Sequence, residues 1–134
     1  MIMREILFRG KRTDNGRQWV YGYFFKAWGN CYILPGMVEV VPETIGQFTG
    51  LKDKNGTNIF EGDILGISIK DSDEKIVYKF GAVEFSTRSL EYIIRSKEGL
   101  VCGFNSILNS AGFYEFGLEV IGNIYDNKEL LKQN

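Results

Sequence analysis

Glu61 and Asp63 stand on either side of Gly62 in Phe60-Glu61-Gly62-Asp63-Ile64, a pair of carboxylates set on one tight glycine turn. Paired carboxylates can exchange a proton with a substrate or hold Mg²⁺. The competing reading is local, because Asp beside Gly accepts hydrogen bonds from nearby backbone N–H groups and so favours the turn itself. Asp71, Asp73 and Glu74 form a second acidic group, but the twelve-residue ligand spacing and the central glycine of a calcium loop are missing. A solvated acidic turn is expected there. Cys102, between Val101 and Gly103, is a candidate lone nucleophile, weighed against a buried thiol at a strand end. The chain contains no histidine, which removes the commonest general base, the Cys-His and Ser-His-Asp arrangements and the usual nitrogen ligand of zinc. Neither Gly-x-x-x-x-Gly-Lys-Ser/Thr nor Gly-x-Gly-x-x-Gly occurs, so no nucleotide cradle is proposed. No catalytic residue, metal site or cofactor is assigned, and binding is expected ahead of catalysis.

A different chemistry lies near the N-terminus. Arg4, Arg9, Lys11, Arg12, Arg17 and Lys26 oppose only Glu5 and Asp14, while the rest of the chain is net acidic. Cations beside Trp19, Tyr21 and Tyr23 are what a single-strand binder uses, the charges tracking phosphates and the rings stacking on bases. Under that reading the contacts fall to Arg9, Lys11, Arg12, Arg17, Trp19 and Tyr21. Against it stand a formal charge of -1 and the tendency of an aromatic face on an antiparallel strand to form core.

The elements that must position these residues read as short strands. Ile6 and Phe8 alternate with Glu5, Leu7 and Arg9; Thr13-Asp14-Asn15-Gly16 supplies a turn; and Arg17 to Lys26 returns with Trp19, Tyr21, Tyr23 and Phe25 on one face. A hairpin opens the chain. Ala27 to Asn30 turns it into Cys31 to Leu34, Pro35-Gly36 breaks it, and Met37 to Val41 resumes. From Gln47 to Ile64 two reverse turns separate three apolar runs. Asn55-Gly56 predicts a type I′ turn pairing Phe48–Leu51 with Thr57–Phe60, since both central residues of that turn need φ > 0. Lys75 to Phe85 reads as a long strand in which Gly81 marks a bulge or bend. Leu90 to Arg95, Leu100 to Gly103 and Leu118 to Tyr125 continue the sheet. Helical spacing of Phe104, Ile107 and Leu108 predicts one short helix over Phe104 to Ser110. Asp126-Asn127 is read as the cap of a closing helical turn containing Leu130 and Leu131.

Composition agrees. With 134 residues, 44% of them hydrophobic and 25% charged, the chain fits one domain over 1–134, with room for two small lobes sharing a core. The aromatic share of 14% and the 16 glycines lean towards punctuated strands, an all-β barrel-like or sandwich-like domain with little helix. The N-terminal apolar run carries charges, and no window approaches a membrane span, so a cytoplasmic protein without a membrane partner is expected. Cys31 and Cys102 are far apart and outside any CxxC, which predicts two free thiols in a reducing compartment.

Three blocks carry a family resemblance: Met3-Arg4-Glu5-Ile6-Leu7-Phe8-Arg9; Gln47 to Gly56 with Ile59-Phe60-Glu61-Gly62-Asp63-Ile64; and Val120-Ile121-Gly122-Asn123-Ile124-Tyr125 with Glu129-Leu130-Leu131. On these residues the chain resembles the YopX family of phage and prophage proteins. The resemblance implies a mainly β fold with a small SH3-like barrel or pseudo-barrel of short antiparallel strands, encoded by a phage or prophage in a bacterial host. It implies no activity and transfers no site residues. The function expected is that of a non-enzymatic accessory protein acting by binding a host or phage protein, with homo-oligomerisation compatible with it. The alternative is a small β-barrel that binds nucleic acid through the basic first hairpin.

Overall fold

The structure is a computed structural model that describes residues 4–70, 73–104 and 117–133. The chain divides into two compact units, Met1–Leu51 and Lys52–Asn134.

The first unit is built on five strands, β1 (Phe8–Lys11), β2 (Trp19–Ala27), β3 (Asn30–Leu34), β4 (Val38–Val40) and β5 (Gly46–Lys52), whose last residue lies in the second unit. Their order is β4-β3-β2-β1-β5, all contacts antiparallel. β2 serves two partners in succession: Trp19 to Gly22 pair with β1, and Tyr23 to Ala27 pair with β3. The switch falls at Gly22 (φ 158°), where an added Cβ would lie 1.8 Å from the Leu34 carbonyl oxygen, so only glycine lets the two backbones come this close. β4 then comes back to the end of β1. Arg12 bridges Val40, the Val41 N–H donates to the Lys11 carbonyl at 2.8 Å, and the Thr13 N–H donates to the Glu39 carbonyl at 3.2 Å. This partial closure, with no continuous ladder between β4 and β1, makes a small pseudo-barrel. Its interior holds Cys31, Ile33 and Val40, with Phe8, Val20 and Ile45 packed against them. A 3₁₀ turn over Pro42–Thr44 seats the buried Thr44, whose hydroxyl accepts from the Lys11 N–H and donates to the Val41 carbonyl.

The second unit holds β6 (Asn58–Phe60) and a five-stranded antiparallel sheet of β7 (Asp63–Lys70), β8 (Ile76–Ser86), β9 (Glu91–Ser96), β10 (Gly99–Gly103) and β11 (Leu118–Asn123), in the order β10-β9-β8-β7-β11. Ile59, Ile64, Leu65, Ile67 and Ile94 are fully buried; Ile64 and Leu65 are adjacent and point to opposite faces, so β7 is covered on both faces there. After β11 the Asn123 carbonyl oxygen of the side chain accepts from the Tyr125 and Asp126 N–H groups. The chain closes in a 3₁₀ helix over Lys128–Gln133.

Eleven strands against three 3₁₀ turns among the described residues agree with the mainly β expectation. Several details differ. Asn15-Gly16 is not a two-residue turn: Arg12 still pairs its N–H with the Gln18 carbonyl, and the loop contains a 3₁₀ turn over Asn15–Arg17 with Gly16 at φ 75° and Arg17 at φ 56°. Asn55-Gly56 is not type I′ either, since Gly56 (φ 82°) alone of the two is left-handed. The turn starts at Asp53, whose carbonyl accepts from Gly56 and whose N–H donates to Thr57, bringing the end of β5 beside the start of β6. Gly81 carries no bulge, because Leu65↔Gly81 lies inside a regular ladder. The glycine is there for packing, as an added Cβ would lie 2.5 Å from the Ile94 Cγ2. The register shifts fall instead at Leu100/Cys102 and Val120/Gly122. Asn127 stands at the N-cap of the closing turn, where its carbonyl accepts from the Leu130 N–H, but its side-chain oxygen turns back to accept from the Asn123 N–H. Of the helix expected over Phe104 to Ser110, all but Phe104 lies outside the described residues, as does Asp71.

Candidate functional site

The carboxylate turn is built for structure. Asp63 is 2% exposed and its Oδ2 accepts from the Phe60 N–H at 2.7 Å, while Gly62, at φ 90°, donates its N–H to the Val83 carbonyl and accepts from the Ile124 N–H. Both halves of the turn are tied to backbone, which is what Asp beside Gly favours. Among the described residues no three His, Cys, Asp or Glu side chains group as metal ligands. Asp53, ahead of this turn, is a stronger knot. Its Oδ1 accepts from the Asn55 and Thr57 N–H groups at 2.8 and 2.9 Å, and its Oδ2 accepts from the Val120 N–H at 2.9 Å. Burial alone would raise this carboxyl, but the bonds from Val120, Thr57 and Asn55, with the Lys54 charge, more than offset it and hold its pKa below the ordinary value. At Cys102, burial first and the Glu91 charge second push the thiol up to about 11. It is protonated at neutral pH, the opposite of an activated nucleophile.

The first hairpin brings four of its six candidate residues into one group. Arg9 faces Tyr21 and Lys11 faces Trp19 across the β1–β2 ladder. The Arg9 guanidinium carbon sits 4.2 Å from the centre of the Trp19 ring, and the Lys11 Nζ sits 5.3 Å from it. Arg9 is buried. The indole thus takes two cations from its own sheet, a cation–π arrangement. Arg12 and Asp14 lie outside this group and pair with each other at 2.8 Å. That hydrogen bond, with the charge attraction, lowers Asp14 and raises Arg12. Arg17 stands exposed on the loop.

Tyr21 belongs to a larger surface. The odd-numbered residues of β2 point away from the pseudo-barrel interior, so Tyr21 and Tyr23 are 52% and 62% exposed, and Phe25 is also exposed. Across the ladder Tyr23 meets Leu34 and Phe25 meets Tyr32, and beyond them the exposed Glu39 of β4 is the direct partner of Tyr32. Between β2 and β3 the chain reverses through Trp28 (φ 52°) and Gly29 (φ 77°), a two-residue loop in which both positions are left-handed. Trp28 is 78% exposed, and its ring lies 6.3 Å from Phe25 and 6.2 Å from Tyr32, at 73° and 82° to them. An aromatic face therefore lies outside the pseudo-barrel and not in its core. Trp28, Tyr32 and Glu39 were not among the expected site residues. The signal available was the Trp-Gly pair between two alternating strands, a poor residue choice for a tight turn.

Comparison with known proteins adds the family. A family model described as YopX protein matches residues 26–132. No curated protein matches the chain. Among solved structures, the crystal structure of protein EF1440 from Enterococcus faecalis is similar to it, with 24% sequence identity, a TM-score of 0.55, and coverage of 96% of this chain and 99% of that one. At that identity the likeness concerns the fold.

Proposed function

The chain belongs to the YopX protein family, and from that premise we propose that it is a non-enzymatic accessory protein of a phage or prophage, working in the bacterial cytoplasm by binding another protein. The observation that carries this reading is the exposed aromatic face of β2 and β3. Tyr and Trp are the residues most enriched at protein interfaces, where their large rigid surface is buried at small entropic cost and their polar tips still find partners. Tyr21, Tyr23, Phe25 and Trp28 are exposed together on one side of one short hairpin. Their neighbourhood supplies little for phosphate, because Arg12 is bonded to Asp14 and Arg9 is buried against Trp19.

Affinity capture from a host lysate, run with nuclease and repeated with Tyr23→Ser and Trp28→Ser bait, tests it. A nuclease-resistant protein partner that both variants lose is the expected result. A partner retained by both variants, or one released by nuclease, would remove the reading.

A further inference from the structure

The docking face makes no use of Asn55-Gly56, and this pair carries a chemistry of its own. Asparagine is a thermolabile residue, most of all before glycine, where no side chain hinders the following nitrogen. We propose that Asn55-Gly56 is a latent deamidation site, held unreactive by Asp53 and opened only when the turn lets go of β11. In the reaction the Gly56 nitrogen, having lost its proton to solvent base, attacks the Asn55 side-chain amide carbon. That C–N bond forms, the bond to the side-chain nitrogen breaks, and this nitrogen takes up a proton and leaves as ammonia. Water then opens the succinimide ring at either carbonyl, leaving aspartate or isoaspartate in place of Asn55. No redox partner is needed.

Access favours the reaction, and hydrogen bonding opposes it. Asn55 and Gly56 are both exposed, and a Cβ added at Gly56 would find nothing within 4 Å. The attacking N–H, however, donates to the Asp53 carbonyl at 3.0 Å, so it must give up an acceptor before it can lose its proton and turn towards the side chain. The Asp53 Oδ1 accepts from the N–H groups on either side of it, those of Asn55 at 2.8 Å and Thr57 at 2.9 Å. A carboxylate held there disfavours an amide anion between them. β11 fixes the arrangement from outside the turn. The Val120 N–H donates to the Asp53 Oδ2 at 2.9 Å, the Lys54 N–H donates to the Leu118 carbonyl at 3.0 Å, and the Lys54 Nζ lies 3.4 Å from the Glu119 carboxylate.

Asn15-Gly16 provides the contrast within the same chain. Its turn is closed by the Arg17 N–H donating to the Asp14 carbonyl at 3.0 Å, one residue past the nitrogen that would attack, and the Asp14 carboxylate pairs with Arg12. The same dipeptide thus stands in one turn that engages its reactive nitrogen and in another whose closing bond comes from the next residue. Isoaspartate in place of Asn55 adds a methylene to the main chain between Asp53 and Thr57. The Thr57 N–H then no longer meets the Asp53 Oδ1, the turn does not close again, and the opening is recorded covalently.

The test incubates the full chain at neutral pH, folded in buffer and denatured in guanidinium chloride, and follows deamidation of Asn15 and Asn55 by peptide mapping and mass spectrometry. The folded-to-denatured rate ratio at Asn55 is expected to lie at least about tenfold below that at Asn15, because a reaction that passes through an opened form tracks the population of that form. Asp53→Asn should raise the folded rate at Asn55 about tenfold, as loss of charge-assisted hydrogen bonds does, and leave the rate at Asn15 unchanged. The fraction of wild type carrying isoaspartate in place of Asn55 should unfold at a lower urea midpoint than the unreacted fraction. Equal ratios at the two sites, or a folded Asp53→Asn variant with the wild-type rate at Asn55, would overturn the inference. Denatured rates at both sites in the variant would show that it has unfolded, and the wild-type ratios then decide alone.

Discussion

Asp53 concentrates three backbone bonds on one carboxylate, so its removal leaves the N–H groups of Asn55, Thr57 and Val120 without their acceptor. Asp53→Ala is expected to lower stability by about 1–3 kcal/mol, read as a drop in the urea midpoint. The pH dependence follows from the direction of its shift. The folded pKa lies below the ordinary value of 3.8, so as the pH falls the unfolded chain takes up the proton first. The stabilisation is complete above the unfolded value and is lost as the pH falls through it towards the folded one. Unfolding curves of wild type and Asp53→Asn should therefore converge in acid below about pH 4 and separate above it. At Cys102 the sign is opposite for reactivity: with the thiol at about 11, iodoacetamide should label it more slowly at neutral pH than it labels a cysteine in a short peptide. Equal or faster labelling would mean the thiol is activated.

At the scale of elements, two glycines separate steric from backbone effects. Gly56 has open space around its Cβ position and φ 82°, so Gly56→Val should cost about 1–2 kcal/mol from the left-handed backbone alone. Gly22 meets the Leu34 carbonyl oxygen, so Gly22→Ala forces β2 and β3 apart and should cost about 1–3 kcal/mol or more, with loss of near-ultraviolet signal from the aromatic face. Equal, small losses for the two would mean that β2 does not switch partners at Gly22. The strands themselves were legible, because alternation and Gly-rich punctuation are local signals: the readings over Cys31 to Leu34, Lys75 to Phe85 and Leu100 to Gly103 differ from β3, β8 and β10 by a residue or so. The turn at Asn55-Gly56 was legible in place but not in type, since the Asp53 carboxylate bonds to Val120, far along the chain, as well as to the turn. The sidedness of β2 was not legible. Val20 and Phe24 lie on one face and Tyr21, Tyr23 and Phe25 on the other; the return of β4 to β1 makes the Val20 side interior, while Phe24, further along the strand, is 39% exposed. The same non-local closure hid Trp28 and Glu39 as members of one surface.

For the whole molecule, the formal charge of -1 and the internal pairing of Arg12 with Asp14 predict no measurable affinity for single- or double-stranded oligonucleotides, even at low salt. Fluorescence anisotropy checks this. Four working phosphate contacts at Arg9, Lys11, Arg12 and Arg17 would instead make log affinity for single strands fall with log salt at a slope of roughly −3. A chain this close to neutrality, with several aromatic rings facing water, has weak electrostatic protection against clumping. The bonds from Val41 to Lys11 and from Thr13 to Glu39 supply protection of another kind. They occupy the hydrogen-bonding rim of β4 beside the aromatic face, so sticky surface and strand template are not offered together. Nucleation of ordered aggregates needs both in one place, and the fold keeps the rings available for recognition while denying a growing fibril its first rung there.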